Sequence, residues 1–124
     1  MKRIQKARAR AAASQNGHCH YCGKPMIQDQ NVLDAFAKQN GLKKKQAREL
    51  LATAEHLLAR SEGGTDAGKN IVAAHALCNR RRHQRKNAPP PEQFRQFVQK
   101  RCEKGRWHVP AVLKMPTHLP PLRT

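Results

Sequence analysis

The chain has 124 residues, enough for one small domain, and only 38% of them are hydrophobic, with one Trp, one Tyr and three Phe. A core that modest excludes a large self-sufficient globule and calls for a staple: a disulfide, a metal or a partner. The formal net charge of +17, with a pI near 10.8, excludes a neutral partner and points to a polyanion, nucleic acid first and a membrane surface second, while no apolar run approaches the ~20 residues of a membrane span.

Residues 1–17 are basic and free of acids, with Lys2, Arg3, Lys6, Arg8 and Arg10 all preceding the first acid, Asp29. Such a stretch can mimic a transit peptide. Cleavage there would come close to removing Cys19, so a basic arm, frayed or helical only on contact with a partner, is the expectation. Residues 18–86 form the expected main domain. It opens with Cys19-His-Tyr-Cys22 and the turn signal Gly23-Lys24-Pro25. Residues of about 29–53 form an inserted helical segment. Val32, Leu33, Phe36 and Ala37 have helical spacing, Gly41 breaks the run, and Ala47, Leu50, Leu51 and Ala54 resume it. A helical hairpin packed on the core is favoured there over a helix-turn-helix. Residues 59–69 are a loop marked by Gly63-Gly64 and Gly68, Ile71-Val72 is a short β-prone run, and Leu77 to about Lys86 is helical. Residues 87–124 start with a proline linker. A helix over Glu92–Cys102 follows, with Phe94, Phe97 and Val98 on one face, and then an irregular, proline-punctuated tail from Gly105.

Four cysteines are too few for a secreted disulfide scaffold, and a C-x-x-C followed by an H-x-x-C reads as metal binding in a cytoplasmic chain. Cys19, Cys22, His75 and Cys78 make a closed Cys₃His set suited to a tetrahedral structural Zn²⁺. His18 and His20 are alternative imidazole ligands. Two half-sites of the same spacing are a far more specific signal than a lone C-x-x-C.

Glu55-His56 sets an acid beside a base in a chain with only eight acids. A neutral His can take a proton from an attacking water near neutral pH. A divalent cation can stabilise the phosphate and the leaving oxygen. Asn79 and His83, at i and i+4, share a helix face, whereas Cys78 points about 100° away around the helix. One helix could therefore serve a structural zinc with Cys78 and a catalytic ion with Asn79 and His83, Glu55 completing the set. A carboxylate, an amide and an imidazole admit Mg²⁺, Mn²⁺, Ni²⁺ or Zn²⁺, with His83 biasing away from Mg²⁺.

Glu55-His56, then Gly63-Gly64 leading to Asn70-Ile71-Val72, then Cys78-Asn79 resembles the nuclease core of the HNH endonuclease family. The resemblance covers Cys19–Cys22 and Thr53–Lys86, a little under half the chain. It implies an α+β fold of the ββα-metal type: a small core stapled by zinc, with an inserted helical segment and a C-terminal helix. It implies His56 as general base, Asn70 as the residue holding the loop, and Glu55 and Asn79 as metal ligands. His83 matches the second helical His of the colicin-type branch. The sequence departs from the family pattern in using Glu rather than Asp at position 55, His75 in place of a thiolate, and a long segment between Cys22 and Glu55. Intrinsic propensity alone would run one helix from Ala47 through Arg60. The family order of the downstream elements instead puts Glu55-His56 on a strand.

Arg80, Arg81, Arg82, Arg85 and Lys86 would lie beside the scissile phosphate, where one or two arginines could stabilise the transition state. The other basic residues, with the N-terminal arm and Lys43-Lys44-Lys45, would bind backbone phosphates in a salt-sensitive way. The expected function is metal-dependent hydrolysis of DNA phosphodiesters, DNA being preferred to RNA and no membrane being involved. The competing reading is a non-catalytic zinc-ribbon module that binds nucleic acid, and a small ribosome-associated protein is a weaker third. Nothing in the sequence speaks to oligomeric state.

Overall fold

A computed structural model describes residues 2–122. The elements, in chain order, are α1 (Arg3–Ser14), α2 (Leu33–Gln39), α3 (Lys44–Arg48), β1 (Ala52–His56), β2 (Ile71–His75), α4 (Ala76–His83), α5 (Pro91–Glu103) and α6 (Pro110–Leu113). The fold is α+β. β1 and β2 form a two-stranded antiparallel sheet in which Ala52 faces His75, Ala54 faces Ala73 and His56 faces Ile71. α4 follows β2 without a break, which completes a β-β-α unit.

The strand at Glu55-His56 overrides local helix propensity. α3 stops at Arg48, Leu50 and Leu51 N–H close local turns, and the chain then meets a partner distant in sequence: Ile27 N–H donates to Leu50 O and Ala52 N–H to Ile27 O. Ladder bonds to β2 then pair the backbone groups of β1 that face it. A buried strand position was worth more here than another turn of exposed helix.

β2 is buried along its whole length, so both of its faces are covered. α1 packs against it and against β1, burying Ala7, Ala11 and Ala12. This corrects the expectation of a frayed arm. The alanines at i and i+4 form a small-residue stripe that lets the helix axis approach the sheet, and alanine is the best helix former. The basic residues between them stay at the surface, so charge composition hid a core element. Gln15, just past α1, is buried and bonds the main chain of Ala73 twice, donating from Nε2 to the carbonyl and accepting the N–H at Oε1. It serves as a side-chain substitute for a third strand at that edge.

Two clusters make the core. One gathers the cysteines, Tyr21, Ala73, Ala74, Phe94, Val98 and Trp107 around the sheet. The other holds the inserted segment, with Leu33, Ala37, Leu42, Ala47 and Leu50 closed by Val112 of α6. The segment is therefore a short helical hairpin, turned at Gly41 (φ +64°), and its second helix has only five residues. The tail is less irregular than its prolines suggest. α6 caps the hairpin, and Lys24 Nζ donates to Leu113 O, Met115 O and Thr117 Oγ1, holding the tail to the knuckle.

Candidate functional site

Cys19 and Cys22 flank a tight turn stabilised by Cys19 N–H to Lys24 O and Gly23 N–H to Cys19 O. His75 ends β2, and Cys78 sits in the first turn of α4. The ligand atoms of these four buried residues all lie within 4.8 Å of one another. His75 Nδ1 is 3.2 Å from Cys22 Sγ and 3.9 Å from Cys78 Sγ. Ligands of a tetrahedral zinc, at about 2.3 Å to sulfur and about 2.0 Å to nitrogen, lie roughly 3.5–3.8 Å apart. The other ring nitrogen, Nε2, is 2.8 Å from Pro25 O, which makes it the protonated one and leaves Nδ1 as the donor atom. Trp107 Nε1–H donates to Cys78 Sγ, and the main-chain N–H groups of Tyr21 and His75 donate to Cys19 Sγ.

The charges also fit a cation. Burial opposes ionisation of every sulfur, but Cys22, Cys78 and His75 turn toward Cys19 and hold its thiol well below the ordinary value. Burial, with Cys19 beside them, pushes the thiols of Cys22 and Cys78 well up. A dication at the centre would stabilise all three sulfurs as thiolates. His18 and His20 are directed elsewhere. His18 Nδ1 contacts Gly23 O, and the ring of His20 packs edge-on against Tyr21.

The second site is a cleft of about 460 Å³ lined by Glu55, His56, Asn79 and His83, with Ile4, Ala54, Ala59, Arg60 and Ser61. Adjacent strand residues ordinarily face opposite ways. His56 is the last residue of β1, where the chain leaves the sheet, and both residues line the one cleft. Glu55 is buried and its carboxylate is divided. Oε2 accepts from Tyr21 Oη at 2.9 Å and Arg82 Nη1 at 3.3 Å, while Oε1 lies 2.8 Å from His83 Nε2. Burial and the neighbouring carboxylate raise the Tyr21 phenol, so it remains a donor. Asn79 Nδ2 donates to Thr53 Oγ1 and Ala54 O, leaving Oδ1 as the amide atom free for a ligand role. Two donors bound to one ion at about 2.1 Å and a right angle lie roughly 3 Å apart, so Glu55 Oε1 and His83 Nε2 have the spacing of co-ligands.

His56 Nε2 lies 2.8 Å from Asp66 Oδ1, and Arg60 Nη2 donates to the same oxygen at 3.0 Å. Arg60 Nε also approaches His56 Nε2 at 3.3 Å, but one ring nitrogen cannot donate to Asp66 and accept from Arg60. The shorter contact, and the carboxylate's greater strength as an acceptor, favour protonated Nε2 with Nδ1 as the basic atom. Hydrogen bonds from His56 and Arg60 hold the Asp66 carboxyl below its ordinary value. Asn70 closes the intervening loop. It accepts Leu58 N–H at Oδ1 and donates from Nδ2 to Leu58 O and Thr65 O. Gly63 adopts a left-handed φ of +93°, and a Cβ on Gly64 would collide with the Leu58 carbonyl.

The basic run separates by face. Arg82 departs from the expectation of a phosphate-binding surface residue. It is buried, donating to Glu55, Pro89 O, His56 O and Leu57 O, because its position on α4 turns inward over the end of β1. Arg80 pairs with Glu49 at 2.7 Å. Arg81 stacks over Trp107 and Arg85 over Phe97, and Lys86 is exposed in the turn after α4.

Sequence reasoning missed Tyr21, Asp66, Arg60 and the inward role of Arg82. Asp66 had one usable signal, as an acid in a Gly-rich loop of an acid-poor chain. Tyr21 had none, because only the folded knuckle carries it to a carboxylate 34 residues away in sequence.

No curated protein and no solved structure matches the chain. Residues 41–85, just over a third of the chain, match the family model of the HNH endonucleases, which indicates a nuclease-type function. The matched segment holds Glu55, His56, Asn70, His75, Cys78, Asn79 and His83 and leaves Cys19 and Cys22 outside it, so that the stretch from Gly41 to just past α4 is similar to the HNH endonuclease family.

Proposed function

We propose that the protein is a metal-dependent endonuclease that hydrolyses DNA phosphodiester bonds. The observation that carries this reading is the convergence of Glu55, His56, Asn79 and His83 on one cleft, with His56 tied through Nε2 to Asp66. His56 Nδ1 takes the proton from the attacking water, and Asp66 stabilises the imidazolium that results. Asn70 holds the loop that carries Asp66. Glu55 Oε1, Asn79 Oδ1 and His83 Nε2 would hold a divalent cation, Mg²⁺, Mn²⁺, Ni²⁺ or Zn²⁺. Bound there, it would supply positive charge to the scissile phosphate and the leaving oxygen. Cys19, Cys22, His75 and Cys78 would hold a structural zinc.

Ile4 brings the start of α1 to the rim of the cleft, and Lys2, Arg3, Lys6 and Arg10 are exposed along that helix. We take these, with Arg85 and Lys86, as backbone-phosphate contacts, and DNA as the partner in preference to RNA. Free cysteines suit a cytoplasmic, reducing compartment, and no helix among the described residues is long and apolar enough to cross a membrane.

Plasmid nicking with Mg²⁺ or Mn²⁺ tests the reading. Wild type should convert supercoiled DNA to open circles, and His56→Ala should slow conversion by about 10²–10⁴-fold while still binding DNA. If both proteins bind DNA and leave it equally intact, the chain is a non-catalytic zinc module.

A further inference from the structure

A second cleft, of about 380 Å³, opens on the far side of α4 between α4, α5 and the turn after α5. It is lined by Arg81, Arg85, Arg101 and Arg106, with Gln84, Phe94, Phe97 and Trp107. No carboxylate or histidine lines it, so it has neither a base nor metal ligands. Among the described residues, none of the four arginines has an ion-pair partner.

For three of the four, aromatic rings take the place of counter-ions. The Arg81 guanidinium sits 4.7 Å over the Trp107 ring, with Nη1 donating to Trp107 O. Arg85 and Arg101 share the half-exposed Phe97 ring, at 4.4 and 5.8 Å. Arg101 Nε is buried without a hydrogen-bond partner. A guanidinium over a ring keeps its N–H groups as donors that an anion can use. Four cations held this close repel one another, and an anion presenting several oxygens removes that cost.

We propose that this cleft is a phosphate-backbone anchor for nucleic acid, separate from the cleavage cleft and set by α5 and its following turn. It would grip a strand at a distance from the scissile bond and contribute affinity without chemistry. The inference rests on nucleic acid being the partner, and not on cleavage.

Fluorescence anisotropy of a labelled DNA duplex, over a range of salt and with no divalent ion added, tests it. Arg101→Gln/Arg106→Gln should weaken binding about tenfold or more and flatten the plot of log affinity against log salt by about two, near one per lost phosphate contact. Arg106→Gln alone, at an exposed residue with no side-chain hydrogen bond in the described structure, should flatten it by about one and leave the melting temperature unchanged. Lys38→Gln/Lys114→Gln removes the same charge from exposed positions outside the cleft and should leave the slope as in wild type. If the cleft variants and this control lose the same affinity and the same slope, the anchor is overturned and only net charge matters. Binding is read without turnover, so this result is independent of whether His56→Ala abolishes nicking.

Discussion

The Glu55 carboxylate does two jobs with two oxygens. Oε2 is engaged by Tyr21 and Arg82, and Oε1 faces His83 and the cleft. Tyr21→Phe removes one hydrogen bond to a buried charge and should cost about 1–3 kcal/mol in urea unfolding. An unchanged midpoint would mean that Tyr21 does not hold Glu55. Glu55→Ala should cost more, about 3–5 kcal/mol, because it leaves the buried Arg82 guanidinium without its counter-charge. Asp66→Asn keeps the shape of the loop but weakens the hold on His56. It should leave the fold intact and slow nicking about ten- to a hundredfold, less than His56→Ala. Full activity in Asp66→Asn would leave His56 positioned by other groups. The residues that gather at the knuckle and in the cleft were legible in sequence, because few side chains can act as ligands or bases and this chain has few acids. Tyr21, Asp66 and Arg60 were not, since a Tyr or an Arg has many uses and only the fold chooses among them. Arg82 was misread for a related reason, as its neighbours in a charge run give no hint of which position on the helix turns inward.

At the scale of elements, α1 and β1 show how tertiary contact overrules local preference. Composition made α1 an arm, whereas its alanines at 7, 11 and 12 are buried where the helix packs on the sheet. Ala12→Glu would push an unpaired carboxylate into that contact and should destabilise the protein by several kcal/mol. A melting curve like that of wild type would return α1 to the status of a loose arm. β1 has the opposite history, being helix-prone in sequence and a strand because Ile27 and β2 offer it partners. The inserted hairpin, α5 and the break at Gly41 were readable, since hydrophobic spacing and glycine act locally. The loop between the strands depends on Gly64, where any Cβ meets the Leu58 carbonyl. Gly64→Ala should therefore displace Asp66 and Asn70 together and lower activity beyond its effect on stability.

Across the whole molecule, one helix connects the two sites. α4 gives Cys78 to the knuckle and Asn79 and His83 to the cleft, and Tyr21 reaches from between the knuckle cysteines to Glu55. If the knuckle holds the proposed zinc, losing it should therefore loosen the cleft at Glu55 and His56 as well as the fold. A strong chelator or Cys78→Ala should collapse the thermal transition, and added Mn²⁺ should not restore nicking. The most direct test of the account is single-turnover cleavage of a labelled DNA duplex by saturating protein with Mn²⁺, comparing wild type with His56→Ala at matched DNA binding. The account predicts cleavage by wild type and a rate lower by about 10²–10⁴-fold for His56→Ala. Equal rates in the two proteins, or no cleavage by a zinc-loaded, DNA-binding wild type, would contradict it.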